Sequence, residues 1–106
     1  MPFSEDENHS ISLMDAVKMT RDYRSAAGSV AFLGGFFGKG SLLKILDQQG
    51  CTGIRIYNAI NAQREPTFVL VGVKSDGEDI ADGELAEFIV GCPPFCPKAS
   101  ELAGTA

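Results

Sequence analysis

The sequence has no tryptophan and one histidine, His9. Catalysis by a Ser-His-Asp or Cys-His arrangement needs that histidine held rigidly beside a nucleophile. His9 instead lies in the acidic opening MPFSEDENHS, so the chain is read as non-enzymatic, with no catalytic residue. It also lacks any basic cluster. Its nine Lys and Arg residues are scattered singly against fourteen Asp and Glu, for a net charge of −5. That field repels a phosphate backbone and an anionic membrane surface, so neither nucleic acid nor membrane is expected as a partner. No stretch reaches the roughly 20 apolar residues that cross a bilayer. The acidic start is the reverse of a secretory signal. Three cysteines, an odd number, fit reduced thiols better than a secreted disulfide framework. The expected location is the cytoplasm.

What remains is 106 residues of ordinary globular composition, enough for one core and no second. Residues 1–9 read as a flexible acidic arm, 10–97 as a single domain and 98–106 as a flexible tail. Ser12 to Asp15, SLMD, has the form of a capping box and opens a helix that should end near Gly28. Leu13, Val17, Thr20 and Tyr23 follow at helical spacing, with Met14, Ala16 and Ala27 widening the stripe. A short helix or turn over 29–33 is expected next, then an irregular glycine loop. Ser41 is the expected N-cap of a second helix, LLKILDQQ, with Leu42, Leu43, Ile45 and Leu46 as a broad buried face and Gly50 closing it.

TGIRIYNAI alternates as a half-buried strand, with Ile54, Ile56 and Ile60 on one side. Six residues connect it to TFVLVGVK, its antiparallel neighbour. SDG then marks a tight turn, EDI a short returning strand, and DGELAEFIV a further strand or single helical turn. The expected fold is α+β: two to three N-terminal helices, then a small antiparallel sheet of two to four strands, with one layer of helices on one face. TFVLVGVK is apolar on both faces, so Val69, Val71 and Val73 need cover, and little of one copy remains to supply it. A homo-oligomer is the expected partner arrangement, with Phe36 and Phe37 as further interface candidates.

GGFFGKGS is not a phosphate loop: Leu33 replaces the required glycine and Gly40 the required Ser or Thr. Glu78, Asp79, Asp82, Glu84 and Glu87 lack cation-loop spacing and read as a solvated run. The cysteines leave more open. Cys92 and Cys96 have a spacing usable by half a zinc site. Cys51 would be a third ligand, and His9 or a carboxylate a fourth. A zinc ion or iron–sulfur cluster is thus the alternative to a protein without cofactors. If Pro93 and Pro94 form a polyproline II step, Cys92 and Cys96 cannot meet; a turn there, most naturally with Pro94 cis, brings them together. A returning third strand would carry Cys92 about 23 Å from Cys51, whereas a helical or crossing path would let them meet. A redox pair is the weaker third reading, because C-x-x-C is the usual redox spacing.

The order GCTGIRIYNAI, TFVLVGVKSDGEDI, AEFIVGCPPFC resembles a small Bacteroidetes-type bacterial family. Its members run from a helix through a Gly-Cys-x-Gly-Ile-Arg strand and a Leu-Val-Gly-Val strand to a Cys-Pro-Pro-aromatic-Cys ending. The resemblance covers about residues 12 to 96 and implies a compact cytosolic protein without assigning an activity. A fainter likeness is to A-type iron–sulfur carriers. Here the chain departs in having C-x₃-C for C-x-C, and a middle cysteine that precedes its strand.

Overall fold

The order of elements in the computed structural model is α1 (Leu13–Ala27), β1 (Gly34–Phe36), α2 (Lys39–Leu46), β2 (Cys51–Ile60), β3 (Pro66–Lys74), β4 (Leu85–Glu87) and β5 (Val90–Cys92). Residues 2–28, 32–88 and 90–106 are described. The fold is α+β, as composition and pattern predict. Its described strands form a three-stranded sheet, β2-β3-β4, and a two-stranded one, β1-β5. The chain divides into two compact units: Met1–Asn8 with Gly35–Val90, and His9–Gly34 with Gly91–Ala106.

The first unit holds every buried residue described. β3 is the central strand, antiparallel to both β2 and β4, with Ile56 opposite Leu70 and Leu70 opposite Ala86. The β2–β3 turn is organised by Asn61, whose Oδ1 accepts from the Gln63 and Glu65 amides at 2.9 and 3.0 Å. α2 packs on β2 and β3. It lies over Gly72, where a Cβ would meet Ile45 Cγ2 at 3.4 Å. Ile45 and Leu70 are buried on this side. Phe88 completes it, with its ring 5.3 Å from Phe68 and edge-on to Phe37 at 6.0 Å. Gly35 is needed beneath that ring, since a Cβ there would collide with it.

The opposite face of β3 corrects the premise behind the expected oligomer. Val71 and Val73 are only 3% and 5% exposed within one copy, and Val69 is half-buried. Residues directly opposed across strands share a face. Arg55 and Tyr57, opposite Val71 and Val69, therefore extend over that side. Phe3 joins them: the Arg55 guanidinium lies 5.6 Å from its ring centre, and the ring sits against Gly77. Residues 1–9 read in sequence as a flexible arm, and the cover that Phe3 gives is not apparent from its letters.

Other expectations shift locally. α2 begins at Lys39 with Gly38 at its N-cap and no side-chain cap, rather than at Ser41. Its buried face narrows to Ile45, with Leu43 and Leu46 exposed. Gly50, at φ +79°, turns the chain into β2 after the helix has closed at Asp47. EDI contributes an isolated bridge, Val73 to Asp79, rather than a strand. DGELAEFIV supplies β4 and leads into β5. Part of the glycine segment is the strand β1. Of the short helix or turn expected over 29–33, residues 29–31 lie outside the described residues, and Phe32 and Leu33 are not helical.

In the second unit, Ser12 caps α1 as expected, its Oγ accepting from the Asp15 amide at 3.0 Å. Gly28, at φ 88°, ends the helix. α1 buries no residue: Ala16, Val17, Thr20 and Arg24 are half-covered, whereas Leu13, Met14, Met19 and Tyr23 are exposed. The 98–106 tail is tied down. Arg24 donates to the Leu102 carbonyl at 2.7 Å, and Thr105 Oγ1 donates to that of Pro97 at 2.9 Å.

Candidate functional site

The turn at GCPPFCP closes on itself. Cys92 and Cys96, expected from the sequence as reduced thiols, are joined by a disulfide, with Cα atoms 4.7 Å apart. Both the Cys92–Pro93 and Pro93–Pro94 peptides are cis, so the polyproline alternative does not apply. Two backbone hydrogen bonds hold the turn independently of the sulfurs. The Phe95 amide donates to the Gly91 carbonyl at 2.9 Å, and the Leu33 amide to that of Cys92 at 2.8 Å. Pro93, Pro94 and Phe95 are exposed, and both cysteines half-buried. Closing so short a loop restricts the unfolded chain little: about 2 kcal/mol, against about 4.7 for a 100-residue loop.

Cys51 is a free, half-buried thiol at the start of β2 that donates to the Gly53 carbonyl at 3.2 Å. It belongs to the first unit, and Cys92 and Cys96 to the second. Each sulfur of the pair is bonded to the other, and a metal-binding thiolate must first be released. Among the described residues, no group of three or more His, Cys, Asp or Glu stands ready to hold a metal ion. His9 is exposed.

The acidic run is partly structural. Asp79 accepts from Arg55 through one carboxylate oxygen and from the Tyr57 hydroxyl through the other. Arg55 also donates to the Gly77 carbonyl at 3.1 Å. The hydrogen bond with Tyr57 and then Asp79 raise the guanidinium's pKa, against partial desolvation. Glu87 accepts from the Thr67 hydroxyl at 3.0 Å, and Glu78, Asp82 and Glu84 are solvated. Sequence reasoning missed the Arg55–Tyr57–Asp79 cluster. The available signal was Arg55 and Tyr57 two apart on a strand, with the SDG turn bringing Asp79 back across.

Of the proposed interface residues, Val71 and Val73 are already enclosed, Val69 is half-buried and Phe37 packs on Phe88. Phe36 remains 64% exposed. The larger unsatisfied surface is β2. It is an outer strand of its sheet, ten residues long, and Ile56 and Ile60 are each 61% exposed. No helix of the described residues is long and apolar enough to cross a membrane. No family model, curated protein or solved structure matches the chain.

Proposed function

We propose that this is a small cytoplasmic protein that self-associates by pairing β2 with β2 of a second copy, and so serves as an assembly or interaction module. One observation carries the reading: β2 is a long sheet edge with no neighbour on its outer side among the described residues. Edge strands are commonly blunted by lysine, proline, bulges or short length. β2 has neither lysine nor proline, and its irregularity lies at Cys51/Gly53, away from the exposed half.

A second copy suits that edge because the strand is self-complementary. In a two-fold antiparallel pair, each residue meets one an even number of positions away, or itself. Ile54, Ile56 and Ile60 of both copies then share one face. Covering Ile56 and Ile60 contributes roughly 1–2 kcal/mol each, added to the new backbone hydrogen bonds. Light scattering on the purified chain at micromolar concentration tests this. Wild type is expected as a dimer and Ile56→Lys as a folded monomer, since an exposed position tolerates the charge. A monomeric wild type removes the proposal.

A further inference from the structure

We propose that the Cys92–Cys96 turn is a thiol–disulfide exchange site whose substrate is a dithiol. Four observations converge on it. Pro93, Pro94 and Phe95 of the turn are exposed and both cysteines only half-buried, so an attacking thiolate has a path to the bond. It links residues only four apart, and therefore contributes little as a staple. The Phe95–Gly91 and Leu33–Cys92 hydrogen bonds hold the turn without it, so the reduced form keeps its shape. The third cysteine, Cys51, is a free thiol already hydrogen-bonded to the Gly53 carbonyl, so the bond joins Cys92 to Cys96 alone.

The chemistry balances as follows. One thiolate of the dithiol attacks a sulfur of the Cys92–Cys96 bond. A mixed disulfide forms, and the other cysteine leaves as a thiolate and takes up a proton. The second thiol of the dithiol, deprotonated, attacks the mixed disulfide at the substrate's own sulfur. The substrate departs as a disulfide, and the second cysteine is released as a thiolate and protonated in turn. Two electrons and two protons pass from substrate to protein. A disulfide of the glutathione class restores the bond by the same steps in reverse. Structural disulfides of secreted proteins resist the glutathione pool, whereas labile ones exchange with it.

The test equilibrates the native full chain with mixtures of reduced and oxidised glutathione, then counts thiols by alkylation and mass. Reduced protein should show three thiols and oxidised protein one, Cys51. The transition should fall within the glutathione range, with circular dichroism unchanged across it. Catalysed oxidation of dithiothreitol by oxidised glutathione should be lost in Cys92→Ser and Cys96→Ser and kept in Cys51→Ala. Cys92→Ser and Cys96→Ser should each accumulate the glutathione mixed disulfide at the remaining cysteine of the pair. A bond that survives the most reducing mixture until the chain is denatured marks a staple and overturns the proposal. So does a dithiol that stays open in the most oxidising mixture, or an oxidation rate indifferent to both Ser variants. The site does not depend on β2, so its failure and that of self-association are separate results.

Discussion

At the scale of the residue, the fold rests on close approaches that glycine permits. Gln48 leaves the end of α2 and donates to the Ile45 carbonyl at 2.9 Å, while accepting from the Glu84 amide at 2.8 Å. It ties the 80–84 loop to the helix by passing over Gly72, where a Cβ would lie 2.9 Å from its Nε2 and 3.0 Å from Cys51 Sγ. Gly72→Ala should therefore cost about 1–3 kcal/mol through overpacking. A lower denaturant midpoint at unchanged m-value is the expected reading; an unshifted midpoint would show that the latch gives way freely. None of this was visible in QQGC as letters, because Gln48 acts through contacts far away in sequence. The cysteine pair was partly visible. C-x₃-C with two prolines offered a meeting or a separation, and sequence alone could not choose between them.

At the scale of the element, length decided legibility. β2 and β3 show enough alternation or apolar run to be read directly, and Ser12 carries its capping signal at fixed spacing. β1, β4 and β5 are three residues each, too short for any periodicity. α1 is a subtler case: its apolar residues fall at helical spacing, yet none is buried. Its described support includes the Lys18–Asp22 pair at 2.8 Å. Hydrogen bonding from Lys18, and then its charge, lower the Asp22 pKa below the ordinary 3.8. The contribution is therefore present above that value and is lost as pH falls through the lowered one. Carboxyl-carbon NMR should find Asp22 titrating below its ordinary value in wild type and moving back up in Lys18→Met. A midpoint that Lys18→Met leaves unchanged would mean the pair does not form in solution.

At the scale of the whole molecule, two features invite chemistry or assembly: the Cys92–Cys96 turn in the second unit and the outer edge of β2 in the first. Self-association was inferred from Val69, Val71 and Val73, but Phe3, Arg55 and Tyr57 extend over their face within one chain. That cover was illegible because it needs the arm folded back onto a sheet not yet built. The motive for a second copy moves from the centre of the sheet to its rim. Pairing there makes a demand on particular backbone groups. Alternate N–H groups of β2 point away from β3 and remain open to water unless another strand takes them. Residue-resolved amide hydrogen exchange over a dilution series tests the claim most directly. Those outward amides should be protected at high concentration and exchange freely on dilution, while the inward set stays protected throughout. Outward amides that exchange freely at every concentration would contradict edge pairing, whatever the mass of the particle in solution.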